Sequence, residues 1–232
     1  MRLALWRYEL RVLGPVLFVV PVLIVVGLGG LAAVLDLRAV NRGFLAQLVV
    51  ASLEACLPLA GGVTAASVTA RDPALELLLT LPVSYGRTAF RRLALLLGWT
   101  GLVALGATLV LRAAFPWALT PPPALAQLIW LGPLLCCAGA GAWLALLLRS
   151  GAASGAVLGG IWVAQLAFHG YFAATGWTQP WFLFATLEGL YTGGGTFWAT
   201  NRIDLLILAA GLFGAVWAYL RHLEWRLRSE EG

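Results

Sequence analysis

The chain has 232 residues, is 61% hydrophobic and 11% charged, and has a mean hydropathy of +0.90. Water-soluble domains carry about 25% charged residues, so this composition excludes a soluble globular protein and points to an all-α integral membrane protein with one membrane domain over 1–232. The net charge of +5 fits arginine-biased loops of a membrane protein, and no nucleic-acid partner is expected.

The chain opens with RLALWRYELRVL, residues 2–13. Leu3, Trp6, Leu10 and Leu13 recur at helical spacing between Arg2, Arg7 and Arg11, the pattern of a helix lying in the membrane interface. A charged start to the first span is the alternative. The apolar run that follows exceeds the roughly 7–15 residues of a signal-peptide core, so it is read as a retained span. A spanning helix needs about 20 mostly apolar residues, and six stretches qualify: roughly 14–35, 44–69, 93–111, 124–148, 153–175 and 203–220.

All 15 basic residues are arginine. With the N-terminus inside, Arg38, Arg42, Arg112 and Arg202 fall on the far side, and the remaining eleven (15 − 4) fall on the cytoplasmic side. That asymmetry orients the chain with both termini cytoplasmic. The longest outer connection, 176–202, is too apolar for a free loop and too broken for a span. One or two short re-entrant helices are expected there, between spans five and six, with Trp177, Trp181, Tyr191 and Trp198 at headgroup level.

Between spans two and three lies RDPALELLLTLPVSYGRTAFRR, residues 71–92. Asp72 caps a helix start and Pro73 fits its first position. Leu75, Leu78 and Leu79 share one face, and Pro82 ends the helix. Ser84 caps the next helix, which carries Arg87, Arg91 and Arg92 into span three. This predicts a short rigid helix over about 72–84 at the cytoplasmic surface. Such an element can pass a push from a partner into two spans at once; the same residues also fit a capped turn with no partner.

Glu54 is the one carboxylate deep in a span, about 15 Å in from residue 44 at 1.5 Å per residue. A charge at bilayer depth must face protein or water. With Gln47 and Pro58 it is a candidate for a substrate path or a proton relay, or else an outer-leaflet carboxylate bonded to a neighbouring helix. His169 near the end of span five reads as a packing residue, and Glu188, Asp204 and Arg202 as a structural polar cluster at the outer face. Cys56, Cys136 and Cys137 lie in apolar stretches and form neither a disulfide framework nor a metal site. Gly132, Gly139, Gly141, Gly155, Gly159 and Gly160 offer surfaces for close helix approach, within the chain or across a dimer. No clustered catalytic set appears, so an enzyme is not expected. A phosphate-binding loop needs a lysine, and the chain has none.

Arg71-Asp72 followed by Glu76-Leu77-Leu78-Leu79-Thr80-Leu81-Pro82-Val83-Ser84 resembles the permease subunits of type-2 ABC exporters. So do the six-span count, the N-terminal interfacial helix and the broken outer segment. Phe197-Trp198 to Asn201-Arg202 at the opening of the last span and the tail Glu224-Trp225-Arg226-Leu227 are similar too. One departure is Ala70 before Arg71-Asp72, where members often carry Glu-Arg. The resemblance implies an exporter of an amphipathic or hydrophobic substrate (drug, lipid, peptide or glycolipid) in a bacterial or archaeal cell (inner) membrane. It implies that 72–84 is a coupling helix, with Asp72, Glu76, Leu78, Leu81, Pro82, Ser84 and Arg87 seated on a cytoplasmic ABC ATPase. Two ATPase copies would hold ATP and Mg, this chain binding no cofactor, and a second or related permease would complete the dimer among membrane lipids. The alternatives are a proton-coupled secondary transporter centred on Glu54 and a haem-exporter-like permease.

Overall fold

The computed structural model describes residues 14–70, 85–119, 121–189 and 196–229. The interfacial helix expected over 2–13 and the coupling helix expected over 72–84 lie outside the described residues, as do Asp72, Glu76, Leu78, Leu81, Pro82 and Ser84.

Helix α1 spans Pro15–Leu37, with Pro15 in its first turn, where a missing N–H costs nothing. A turn through Ala39, at φ 55°, leads to Asn41, whose side chain accepts the Gly43 N–H at 2.7 Å. That cap opens a long rod: α2 (Arg42–Ala51), a π-turn (Ser52–Cys56) and α3 (Leu57–Ala70). The π-turn has a local cause. Pro58 has no N–H, so in α register the Glu54 carbonyl four residues earlier would stay open. Widening the helix shifts this register: the Leu57 N–H reaches back to the Ser52 carbonyl, and the indole of Trp162 donates to the Ala55 carbonyl at 3.2 Å.

Helix α4 (Tyr85–Ala114) carries Arg87, Arg91 and Arg92 in its first turns, as expected, with Arg87 exposed and Arg92 buried. Helices α5 (Pro123–Ala126) and α6 (Leu128–Leu148) follow. Arg149, at φ 51°, then turns the chain, and Ser150 caps α7 (Gly151–Ala167) by accepting the Ala153 N–H at 3.2 Å. The fifth span expected as one piece over 153–175 is interrupted: α7 ends at Ala167, and a short α8 (His169–Ala174) follows Phe168.

Five helices are long and apolar enough to cross a membrane: Leu17–Leu37, Arg42–Ala70, Gly86–Ala114, Pro123–Leu148 and Phe197–His222. Gly151–Ala167 is apolar but shorter. No strand occurs among the described residues, so the chain is all-α, with the character of a multi-pass membrane protein. The last helix, α9 (Thr196–Ser229), begins ahead of the expected 203 and runs past 220.

The tightest seam joins α3 to α6. A Cβ on Gly141 would fall on the Gly62 carbonyl oxygen, and one on Gly62 would meet the Cys137 carbonyl oxygen at 2.8 Å and the Leu158 side chain. The glycines let two backbones touch where lipid offers no hydrophobic drive for helices to associate. Gly132 and Gly139 instead face α9 through Leu205 and Leu212. These four glycines therefore pack within the chain. Cys136 and Cys137 are buried in the core and Cys56 is partly buried, all as free thiols.

Candidate functional site

The charged groups converge where an irregular stretch of backbone enters the bundle. After α8 the chain makes a 3-10 turn (Gln179–Trp181) and then a series of turns through Gly189. Short re-entrant helices were expected here. Between α8 and α9, the described residues hold only that single 3-10 turn, and 182–189 is non-helical. Phe182, Leu183, Phe184 and Ala185 are nonetheless all buried. Non-helical backbone inside a membrane protein is tolerated only where protein or water satisfies its polar groups, and here four side chains from three helices do so.

Glu54, in the π-turn, is fully buried and accepts two backbone N–H bonds, from Thr186 at 2.8 Å and Leu187 at 2.6 Å. Arg202, on the second turn of α9 and equally buried, donates to Glu54 Oε1, to Thr186 Oγ1 at 3.0 Å and to the Leu183 carbonyl at 3.3 Å. Its guanidinium lies 5.5 Å over the Trp198 ring, whose indole N–H reaches Thr186 Oγ1 at 2.9 Å. Asn201 donates to the carbonyls of Gln179 at 2.7 Å and Phe182 at 3.0 Å. Gln165, near the end of α7, donates to the Trp181 carbonyl at 3.1 Å and accepts the Leu183 N–H at 3.0 Å. Each charge alone would be costly at this depth; together they neutralise one another and close the hydrogen bonds of the segment.

A cavity of about 1100 Å³ borders this clamp. It lies between α2, residues Ala118, Leu119 and Pro121, the α7–α8 junction and residues 186–189. Its wall is apolar at Phe44, Leu48, Leu119, Ile129, Leu166 and Leu187, and polar at Gln47, His169 and Glu188. His169 Nδ1 and Glu188 Oε2 pair at 2.9 Å, with side chains 51% and 26% exposed. Arg42 stacks 5.8 Å over the Trp117 ring, and Arg112 donates to the Pro121 carbonyl at 2.6 Å, so neither guanidinium lines the cavity.

The candidate path residues of the second rod thus separate. Gln47 is exposed and lines the cavity, Glu54 is enclosed by the clamp, and Pro58 is buried at the start of α3, next to the π-turn. Arg202 does not join Glu188 and Asp204 at a polar face. It turns inward to Glu54, where each buried charge has the other as its counter-charge. Trp198 is buried against the clamp, whereas Trp177 and Trp181 are exposed. The sequence reading missed Gln165 and Thr186. The available signal for Gln165 was an amide alone in an apolar helix, which must find backbone partners in a dry interior.

No family model, curated protein or solved structure matches the chain. Among the described residues, no group of three or more His, Cys, Asp or Glu side chains could hold a metal ion.

Proposed function

We propose that the chain is the membrane-spanning permease subunit of an ATP-driven exporter: six spans, both termini cytoplasmic, and energy supplied by a separate ATPase. The observation that carries the reading is the stretch 71–92. Helix α3 ends at Ala70 and α4 starts at Tyr85, so the sequence stretch with Asp72-Pro73, Leu75, Leu78, Leu79 and Pro82 lies between two long apolar helices, followed by the exposed Arg87. In this reading α7 with α8 counts as the fifth crossing, residues 72–84 form the coupling helix, and Asp72, Glu76 and Arg87 meet the ATPase. The large, mostly apolar cavity agrees with an amphipathic or hydrophobic substrate. A proton carrier centred on Glu54 draws less support, because both carboxylate oxygens are engaged and Arg202 lies against one of them.

The test is co-purification of the solubilised protein from its native membrane, wild type beside the double variant Glu76→Ala/Arg87→Ala. An ATPase that accompanies wild type and is lost or uncoupled in the variant is the expected result. No ATP-hydrolysing partner under gentle extraction, or equal recovery with both chains, overturns the reading.

A further inference from the structure

The cavity beside the clamp combines three properties that together specify a ligand class. It is large: about 1100 Å³ stands just above the roughly 300–1,000 Å³ of small-molecule sites. Its apolar wall comes from five elements, with Phe44 and Leu48 on α2, Leu119 before α5, Ile129 on α6, Leu166 on α7 and Leu187 in the irregular segment. Two of these residues, Phe44 and Leu166, are substantially exposed, at 52% and 39%, so the wall is not closed by packing.

The charge of the lining points one way. Glu188 is the single carboxylate among the described lining residues, and Arg42 and Arg112 are turned to Trp117 and to the Pro121 carbonyl. His169 engages Glu188 Oε2, while Oε1 has no partner among the described residues. The clamp pairs Glu54 with an arginine, which stays charged, and presents no net charge to the cavity, whereas the histidine on Glu188 offsets its charge only when protonated. An apolar wall with a carboxylate at its edge and an amide at Gln47 matches a molecule with a hydrocarbon body and a nitrogen cation at one end.

We propose that this cavity is a binding site for cationic amphiphiles, with the ammonium group on Glu188 and Gln47 and the chain against Leu48, Leu119, Leu166 and Leu187. The transport meaning of such a site rests on the exporter reading, since it names that exporter's substrate class. Binding itself needs no ATPase, so the two can fail separately.

The cavity rests on the irregular segment that the clamp fixes. Thr186, Leu187 and Glu188 are consecutive: the first two give their N–H groups to Glu54, and the third presents its carboxylate to the cavity. Loosening the clamp should therefore move the cation-binding carboxylate without touching it chemically.

The experiment uses the full chain in nanodiscs of zwitterionic lipid, with a primary dodecylammonium carrying a photoreactive group in its chain. Labelled peptides are mapped, and dodecylammonium, dodecyl sulfate and dodecanol compete. The expected result is labelling within 44–51 and 186–189, displaced by the ammonium and far less by the sulfate or the alcohol. Glu188→Gln should bind about tenfold more weakly, the loss expected when a hydrogen bond to a charged group is removed. Leu166→Trp, which fills the cavity from a partly exposed position, should abolish labelling there. Thermal unfolding of both variants, read by intrinsic fluorescence, should match wild type. Equal competition by sulfate and ammonium, labelling unchanged in Leu166→Trp, or label spread over the lipid-facing side of α4 would each overturn the proposal. If either variant unfolds, Glu188→Asp and Leu48→Phe replace it, and the competition series on the wild-type protein still decides.

Discussion

Two contacts in this bundle solve the same problem in opposite ways. Along the α3–α6 seam, regular helices meet through Gly62 and Gly141, with backbone against backbone at the glycines. At the Glu54–Arg202 clamp, the backbone is irregular and side chains do everything, supplying the acceptors for Thr186 and Leu187 and the donors for Leu183, Phe182 and Gln179. A helix satisfies its own peptide groups, so it needs only a small partner to approach closely. A non-helical segment inside the bundle satisfies few of its own and must borrow charge and amide groups from its neighbours. The seam tolerates no added volume; the clamp tolerates no lost partner.

Removing one charge should break that comparison hardest. Arg202→Ala or Glu54→Ala leaves a buried ion without its counter-charge and should cost about 3–5 kcal/mol of stability, read as a lower unfolding midpoint in detergent. The double variant Glu54→Ala/Arg202→Ala should lose less than the sum of the single changes. Purely additive losses would mean the pair is not coupled. Hydrogen exchange at the Thr186 and Leu187 amides should rise in Arg202→Ala while α6 stays protected.

Next in size is the seam. Gly141→Ala places a methyl group on a carbonyl and should cost about 1–3 kcal/mol, because two backbones must separate. Gly106→Ala is the control: a Cβ there meets nothing, and the change should be neutral or stabilising by up to about 1 kcal/mol. Similar unfolding midpoints for these two variants would remove the close approach as an explanation of the seam.

Smaller still is the bond between Trp162 and the Ala55 carbonyl, which sits between the two regimes because it repairs a helix that widened for a proline. Trp162→Phe should cost about 1 kcal/mol for that hydrogen bond, plus any packing lost with the indole. At the partly exposed rim, Glu188→Gln should change stability by no more than about 0.5 kcal/mol, although it removes the charge at the cavity edge. A large destabilisation there would mean that the His169–Glu188 pair belongs to the clamp.

Much of this was legible in the sequence. The positions of the long apolar helices follow from composition alone, because about 20 apolar residues have few other uses. The Ser150 and Asn41 caps and the Pro15 start came only with the structure, although their chemistry is local. Glu54 was recognisable as a residue requiring a partner, since a lone carboxylate at that depth cannot stay unsatisfied. Its partner was not recognisable. Arg202 reads as a loop residue in a one-dimensional scan, 148 positions from Glu54, and only folding brings the head of the last helix against the middle of the second rod.

The sequence by itself determined which segments are apolar enough to leave water and which residues could not do so alone. Tertiary structure decided how those residues were satisfied: Glu54 by Arg202 and two backbone N–H groups, and the 182–189 segment by Gln165, Asn201 and Arg202. Burial and helix formation depend on composition and near neighbours. Charge pairing and the satisfaction of irregular backbone depend on which distant groups share one dry space, and that information exists only once the helices have packed.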